Sequence, residues 1–127
     1  MRIALYGGAF DPIHTGHIAL AKMLIDSNVV DIVLVSPCYS HKFGKALTNA
    51  EHRYNMVLAA IANLQLQEPK YKTSIIPWRH EIDIKWSEGT YLYLQKLHEL
   101  FPGDTLHPVF GQDNAENFSK WTYQEEL

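Results

Sequence analysis

Apolar positions along the chain follow two rhythms that take turns. Residues 2–6 form a short run with Ile3, Ala4, Leu5 and Tyr6 after a single arginine, which predicts a strand. Residues 15–26 change to a helical spacing, with Ile18, Ala21 and Ile25 on one stripe. Residues 29–36 are nearly all apolar and rich in valine and isoleucine, the composition of a parallel strand covered on both faces. Thr48-Asn49-Ala50-Glu51 has the form of a capping box. It predicts a helix to about residue 64 with Tyr54, Val57, Leu58, Ile61 and Leu64 turned inward. A third strand over 72–76, a third helix over 90–101 with Leu94, Leu97 and Phe101 as its stripe, and a fourth strand over 105–110 complete the series. Pro102-Gly103 stops the last helix.

Strands alternating with helices define the α/β class, here a doubly wound parallel sheet with right-handed crossovers. Such sheets take ligands beyond the carboxyl ends of their strands. The loops after the first, second and fourth strands are therefore expected to surround one site.

Composition narrows the reading. A chain of 127 residues, 46% hydrophobic, is expected to form a single domain over 1–127 with its own core. A net charge of −3 gives no general attraction to nucleic acid, so no nucleic-acid partner is expected and any anion binding must be local. One cysteine, Cys38, excludes an internal disulfide and fits a reducing compartment. The first apolar stretch is broken by Gly7 and Asp11, which argues against a signal peptide or membrane span. A cytoplasmic location is expected, without membrane partners. The oligomeric state, a homo-oligomer included, stays open.

The richest segment is Gly7-Gly8-Ala9-Phe10-Asp11-Pro12-Ile13-His14-Thr15-Gly16-His17. It lies between the first strand and the first helix. A strand feeding a glycine turn that opens a helix presents backbone N–H groups and the positive end of the helix dipole at one spot, which suits phosphate. Gly7 and Gly8 permit close approach, Pro12 stiffens the turn, and His14 and His17 at the helix entrance can reach one anion. The competing readings are weaker. A double glycine alone is ordinarily just a turn. A zinc site needs further ligands, and no H-E-x-x-H or paired-cysteine pattern supplies them, so no protein metal site is expected. The spacing of the dinucleotide fingerprint G-x-G-x-x-G is absent, which disfavours hydride transfer.

This run resembles the nucleotidyltransferase signature G-G-x-F-D-P-x-H-x-G-H without gaps, in particular that of the nicotinate and nicotinamide mononucleotide adenylyltransferases. The resemblance implies a Rossmann-like fold and ATP contacts from Gly7, Gly8, Ala9, Phe10, His14 and His17. In the loop after the second strand, His41-Lys42 is similar to the P-H-K segment of relatives. It implies that Lys42 supplies mobile positive charge to the nucleotides; on composition alone a solvated loop lysine is equally good. Gly111-Gln112-Asp113-Asn114 resembles G-x-D-N, implying backbone approach to adenosine at Gly111 and ribose hydrogen bonds to Asp113. Without the resemblance it reads equally as a helix cap. Phe118-Ser119-Lys120-Trp121 is similar to F-x-x-W, implying that Trp121 stacks on the pyridine base. Thr90 falls where relatives bind the mononucleotide, although their S-Y-T reads Glu88-Gly89-Thr90 here; Phe10 and Lys42 share that ligand. Trp78 and Trp86 are candidates for a second stacking face, with packing the commoner use of such residues. Arg53 sits in a segment similar to H-R-x-x-M, as a phosphate contact or a structural ion-pair residue.

The implied reaction is transfer of the adenylyl group of ATP to nicotinate or nicotinamide mononucleotide, with His14, His17 and Lys42 as the catalytic set and Mg²⁺ arriving with ATP. Catalysis of this kind is positioning and charge stabilisation, with no protein nucleophile. The alternatives are another small-molecule nucleotidyltransferase, such as a pantetheine-phosphate adenylyltransferase, a nucleotide-binding module without turnover, and a fragment whose site is vestigial. The resemblance covers about the first two thirds of the family pattern. An I-S-S-T-x-I-R-like triphosphate motif has no counterpart up to Leu127, so part of the pyrophosphate cradle is not expected from these residues.

Overall fold

The computed structural model describes residues 1–39 and 48–110, with the side chain of Phe110 excepted. Its elements run β1 (Arg2–Gly8), α1 (Thr15–Asp26), β2 (Ile32–Pro37), α2 (Ala50–Gln67), a 3-10 turn (Pro69–Tyr71), β3 (Ile75–Pro77), α3 (His80–Asp83), α4 (Thr90–Leu100) and β4 (Thr105–Phe110). The four strands form one parallel sheet in the order β3-β2-β1-β4. The chain steps outward from β1 to β3 and then crosses back to lay β4 on the other edge of β1. The reversal places a topological switch point between β1 and β4, where sheets of this class open a crevice.

The two-residue period of the strands divides the core. Ala4, Tyr6, Val33, Val35 and Ile75 face Ala21 of α1 and Val57, Ile61 and Leu64 of α2. Ile3, Leu5 and Leu34 point to the other face and pack with Tyr93 and Leu97 of α4. Helices therefore cover both faces, as expected for a doubly wound sheet.

Several boundaries differ from the sequence expectation. Strand β2 begins at Ile32; Val29 is 56% exposed, because Arg2 ties Asn28 and Asp31 into a connecting turn. The cap of α2 is Asn49, whose side chain accepts from the N–H groups of Glu51 and His52; Thr48 lies one residue outside. Leu58 is 40% exposed, on the outer flank of that helix. The third strand is confined to Ile75–Pro77, because a 3-10 turn that starts at Pro69 occupies the residues before it. The short helix α3 carries no amphipathic period long enough to detect. Among the described residues no helix is long and apolar enough to cross a membrane.

Candidate nucleotide-binding site

The carboxyl end of β1 runs straight into the glycine turn. Gly7 and Gly8 still pair with Ser36 and Pro37 of β2, and a Cβ placed on Gly7 would come no nearer to other atoms than 4.0 Å, at the Ser36 carbonyl. Among the described residues, a side chain at Gly7 would thus meet only ordinary van der Waals contact. Phe10 adopts a left-handed φ of 48° and is buried, its ring edge-on to Tyr6 at 5.4 Å and to His17 at 4.9 Å. That places Phe10 as the floor of the turn. The Asp11 side chain accepts from the Thr48 N–H at 2.9 Å, joining the turn to the entrance of α2.

The two histidines begin α1 as a reciprocal cap. His14 Nδ1 accepts from the Gly16 N–H at 3.1 Å, and His17 Nδ1 accepts from the His14 N–H at 3.0 Å. The rings stack at 3.8 Å. An accepting Nδ1 places the ring proton of each neutral imidazole on Nε2. This corrects the expectation that backbone donors at this helix start stand unpaired for phosphate. Two of them are consumed by the histidine side chains, whose Nδ1 atoms accept from the Gly16 and His14 N–H groups. Gly16 is required by this arrangement, since a Cβ there would lie 2.9 Å from His14 Cε1.

Arg53 organises the site from below. It is fully buried and donates to the carbonyls of Thr48 (2.7 Å), Ala9 (2.9 Å) and Tyr39 (3.2 Å), with Cys38 Sγ at 4.0 Å. Its hydrogen bonds thus stitch the glycine turn, the segment after β2 and the start of α2 together. This assigns Arg53 a structural role through carbonyls rather than a phosphate contact. Burial pushes the Cys38 thiol up, against the opposing pull of Arg53.

On the other side of β2, α3 and α4 bring up groups that sequence reasoning missed. The Ser36 hydroxyl donates to Glu81 Oε2 at 2.5 Å. Trp78 Nε1 donates to Tyr93 Oη at 2.9 Å, and Tyr93 Oη contacts His80 Nδ1 at 2.8 Å. Trp86 Nε1 donates to the Gly89 carbonyl at 3.0 Å. With both indole N–H groups engaged and the rings against Phe101 and Tyr93, Trp78 and Trp86 are packing residues. A buried serine closing a parallel strand was the available signal for a polar partner, but nothing in the spacing pointed to Glu81. Gly89, at φ 100°, starts α4 without a side-chain cap, and Thr90 is the first helical residue at this same edge of the sheet.

Gly7, Gly8, Ala9, Phe10, His14 and His17 are thus assembled at one strand end. Lys42, Gly111, Asp113 and Trp121 lie outside the described residues. Among the described residues no group of three His, Cys, Asp or Glu side chains could hold a metal ion.

A parallel sheet with a glycine turn and a histidine-capped helix at its switch point is the nucleotidyltransferase form of the Rossmann-like fold. The chain belongs to the cytidylyltransferase-like family, whose profile matches residues 5–126. It is 34% identical over 127 residues to a probable nicotinate-nucleotide adenylyltransferase of Thermus thermophilus, covering 100% of this chain and 64% of the relative. A similarly named protein of Cytophaga hutchinsonii is 30% identical over 129 residues, with 100% and 63% covered. Among solved structures, Plasmodium falciparum nicotinic acid mononucleotide adenylyltransferase complexed with NaAD superposes with a TM-score of 0.81 at 28% identity. That match covers 99% of this chain and 59% of the other. The chain therefore spans about three fifths of the length of these relatives.

Proposed function

We propose that this chain carries the nucleotide-binding part of an enzyme that transfers the adenylyl group of ATP to nicotinate mononucleotide, giving deamido-NAD and pyrophosphate. The observation that carries the reading is the histidine-capped glycine turn at the switch point. The names of the relatives favour nicotinate over nicotinamide. In the reaction an oxygen of the mononucleotide 5′-phosphate attacks the α-phosphorus of ATP, the bond from that phosphorus to the β-bridging oxygen breaks, and pyrophosphate departs with the electron pair. The chain supplies position and charge. The His14 and His17 imidazoles, held at the helix entrance through Nδ1, meet the phosphate oxygens where negative charge develops, and Gly7 and Gly8 let the chain of phosphates approach the backbone.

ATP enters as its magnesium complex. Magnesium bound to ATP would neutralise part of the triphosphate charge and would keep several of its waters, so it would ask for no cage of protein ligands. Lys42, Gly111, Asp113 and Trp121 complete the proposal on their match to the family signature, as phosphate charge, adenosine contact, ribose acceptor and base-stacking face; Thr90 and Phe10 join them at the mononucleotide. A single nucleotidyltransferase domain in the cytoplasm is the setting proposed.

The test is pyrophosphate release from ATP with nicotinate mononucleotide, compared with nicotinamide mononucleotide and 4′-phosphopantetheine as acceptors. Fastest release with the nicotinate acceptor supports the reading. Preference for phosphopantetheine would move the chain to another branch, and ATP binding in calorimetry without release would make it a binding module.

A further inference from the structure

Arg53 is a buried cation whose hydrogen bonds, among the described residues, end on neutral acceptors: three carbonyls and a thiol. A buried charge without a counter-charge is costly. The carboxylate whose ionisation responds to Arg53 is Glu81, on α3, which is joined to the end of β2 by the 2.5 Å bond from the Ser36 hydroxyl. Ser36 is fully buried and pairs with Gly7 in the sheet. Arg53, against Cys38, and Glu81, bonded to Ser36, therefore meet neighbouring residues at the end of β2, and both act on the Cys38 thiol. We propose that Glu81 is a positioning residue for adenylyl transfer, its carboxylate holding Ser36 and balancing Arg53 so that Ala9 in the glycine turn and Tyr39 after β2 stay in place. This rests on the reaction proposed above.

Among the described residues, the charged and titratable groups facing Glu81 are few. From β2 and its end come Ser36 and Cys38, from α2 Arg53, and from α4 Tyr93, whose hydroxyl is pushed up chiefly by burial with Glu81 adding to it. On its own element are Arg79, His80 and Asp83; Arg79 is committed to Glu51 and Asp83. Burial pushes the Glu81 carboxyl up to about 7, against Ser36 and Arg53, which both favour the ionised form. Its folded value lies above the unfolded one. The stability linked to it is therefore fully present below the unfolded carboxyl range and is lost as pH rises through about 7. Ionisation costs stability and supplies the counter-charge, which is the signature of a group kept for the site.

The experiment uses the full chain with ATP and nicotinate mononucleotide. Wild-type kcat is expected to rise with pH through about 7. In Glu81→Gln, which keeps an acceptor for Ser36 without the charge, that limb disappears and kcat above pH 7 falls about tenfold, with KM for ATP within about twofold. Glu81→Asp restores part of the limb. Ser36→Ala, which removes a bond to the ionised form, moves the limb to higher pH. A limb that persists unmoved in Glu81→Gln or Ser36→Ala overturns the proposal. Two measurements need no turnover. The thermal midpoint of Glu81→Gln relative to wild type should increase from pH 6 to pH 8, and amide exchange at residues 9–10 and 38–39 should be faster in the variant above pH 7. A constant midpoint difference or unchanged exchange overturns the proposal even if wild type releases no pyrophosphate, an outcome that would by itself overturn only the reaction.

Discussion

Helices α1 and α2 both begin at the carboxyl edge of the sheet, and they are capped in opposite spirit. At α2, Asn49 accepts from two backbone N–H groups and the helix end is closed. At α1, imidazoles do the capping, each ring accepting a backbone N–H at Nδ1. A carboxamide cap of this kind is a structural device. An imidazole cap holds the helix through one nitrogen and, in the reaction proposed, brings the rest of the ring to the phosphates. The difference teaches that a helix start in this fold becomes a site by the choice of capping residue, since both starts share the same dipole and the same edge.

The strongest way to break this comparison is to remove a capping imidazole altogether. His17→Ala is expected to lower kcat for pyrophosphate release by roughly 10² to 10³, the usual cost of one preorganised donor. His14→Ala should also be severe, and the double variant should fall short of the product of the two, because the rings stack and cap each other. A near-normal rate in His17→Ala would remove it from the reaction. Gly16→Ala sharpens the point without touching a donor. Its methyl would push the His14 ring, and a drop of about tenfold to 10² in kcat is expected for such a misplacement, with ATP affinity less affected. Asn49→Ala is the counter-case. It should lose about 1 kcal/mol of stability in denaturant unfolding, while kcat at a temperature where both proteins are folded changes little.

The smallest effect concerns the aromatic cluster behind β2. Burial, with Lys96 adding to it, lowers the His80 pKa below its usual value. A depressed histidine contributes stability that is present above its unfolded pKa and lost as pH falls through the folded one. Accordingly, the stability advantage of wild type over His80→Asn should shrink from pH 8 to pH 5. A difference that grows on acidification would contradict the Tyr93 contact as a neutral-histidine interaction.

How far the sequence was readable depended on what kind of signal each part carries. Helix α1 and strand β4 have the expected bounds because periodicity and flanking turn residues agree there. The strand at Ile75–Pro77 was misplaced, since three residues hold too little alternation to outweigh β-branched Thr73 before them. His14 and His17 were recognisable as a pair at a helix entrance. That Nδ1 of each would satisfy the backbone was not, because it depends on ring rotamers that spacing leaves undetermined. Arg53 was visible as a motif residue and ambiguous in role; only its complete burial against three carbonyls resolves it. Glu81 had no signal at all, lying beside Ile82 on a four-residue helix whose partner is remote in sequence.

The position of β1 bears on how the chain is made as well as on what it binds. This strand pairs on one side with β2, Ile3 opposite Ile32, and on the other with β4, Arg2 opposite Thr105. During synthesis its first neighbour emerges early and its second near the end of β4. From residue 37 to residue 105 translation takes roughly 3 to 14 s at the usual 5–20 residues per second. Throughout that interval one edge of β1 lacks its β4 partner, and until α4 has been made Ile3 and Leu5 lack its cover. A nascent chain halted before β4 should therefore be a better chaperone client than one released after it.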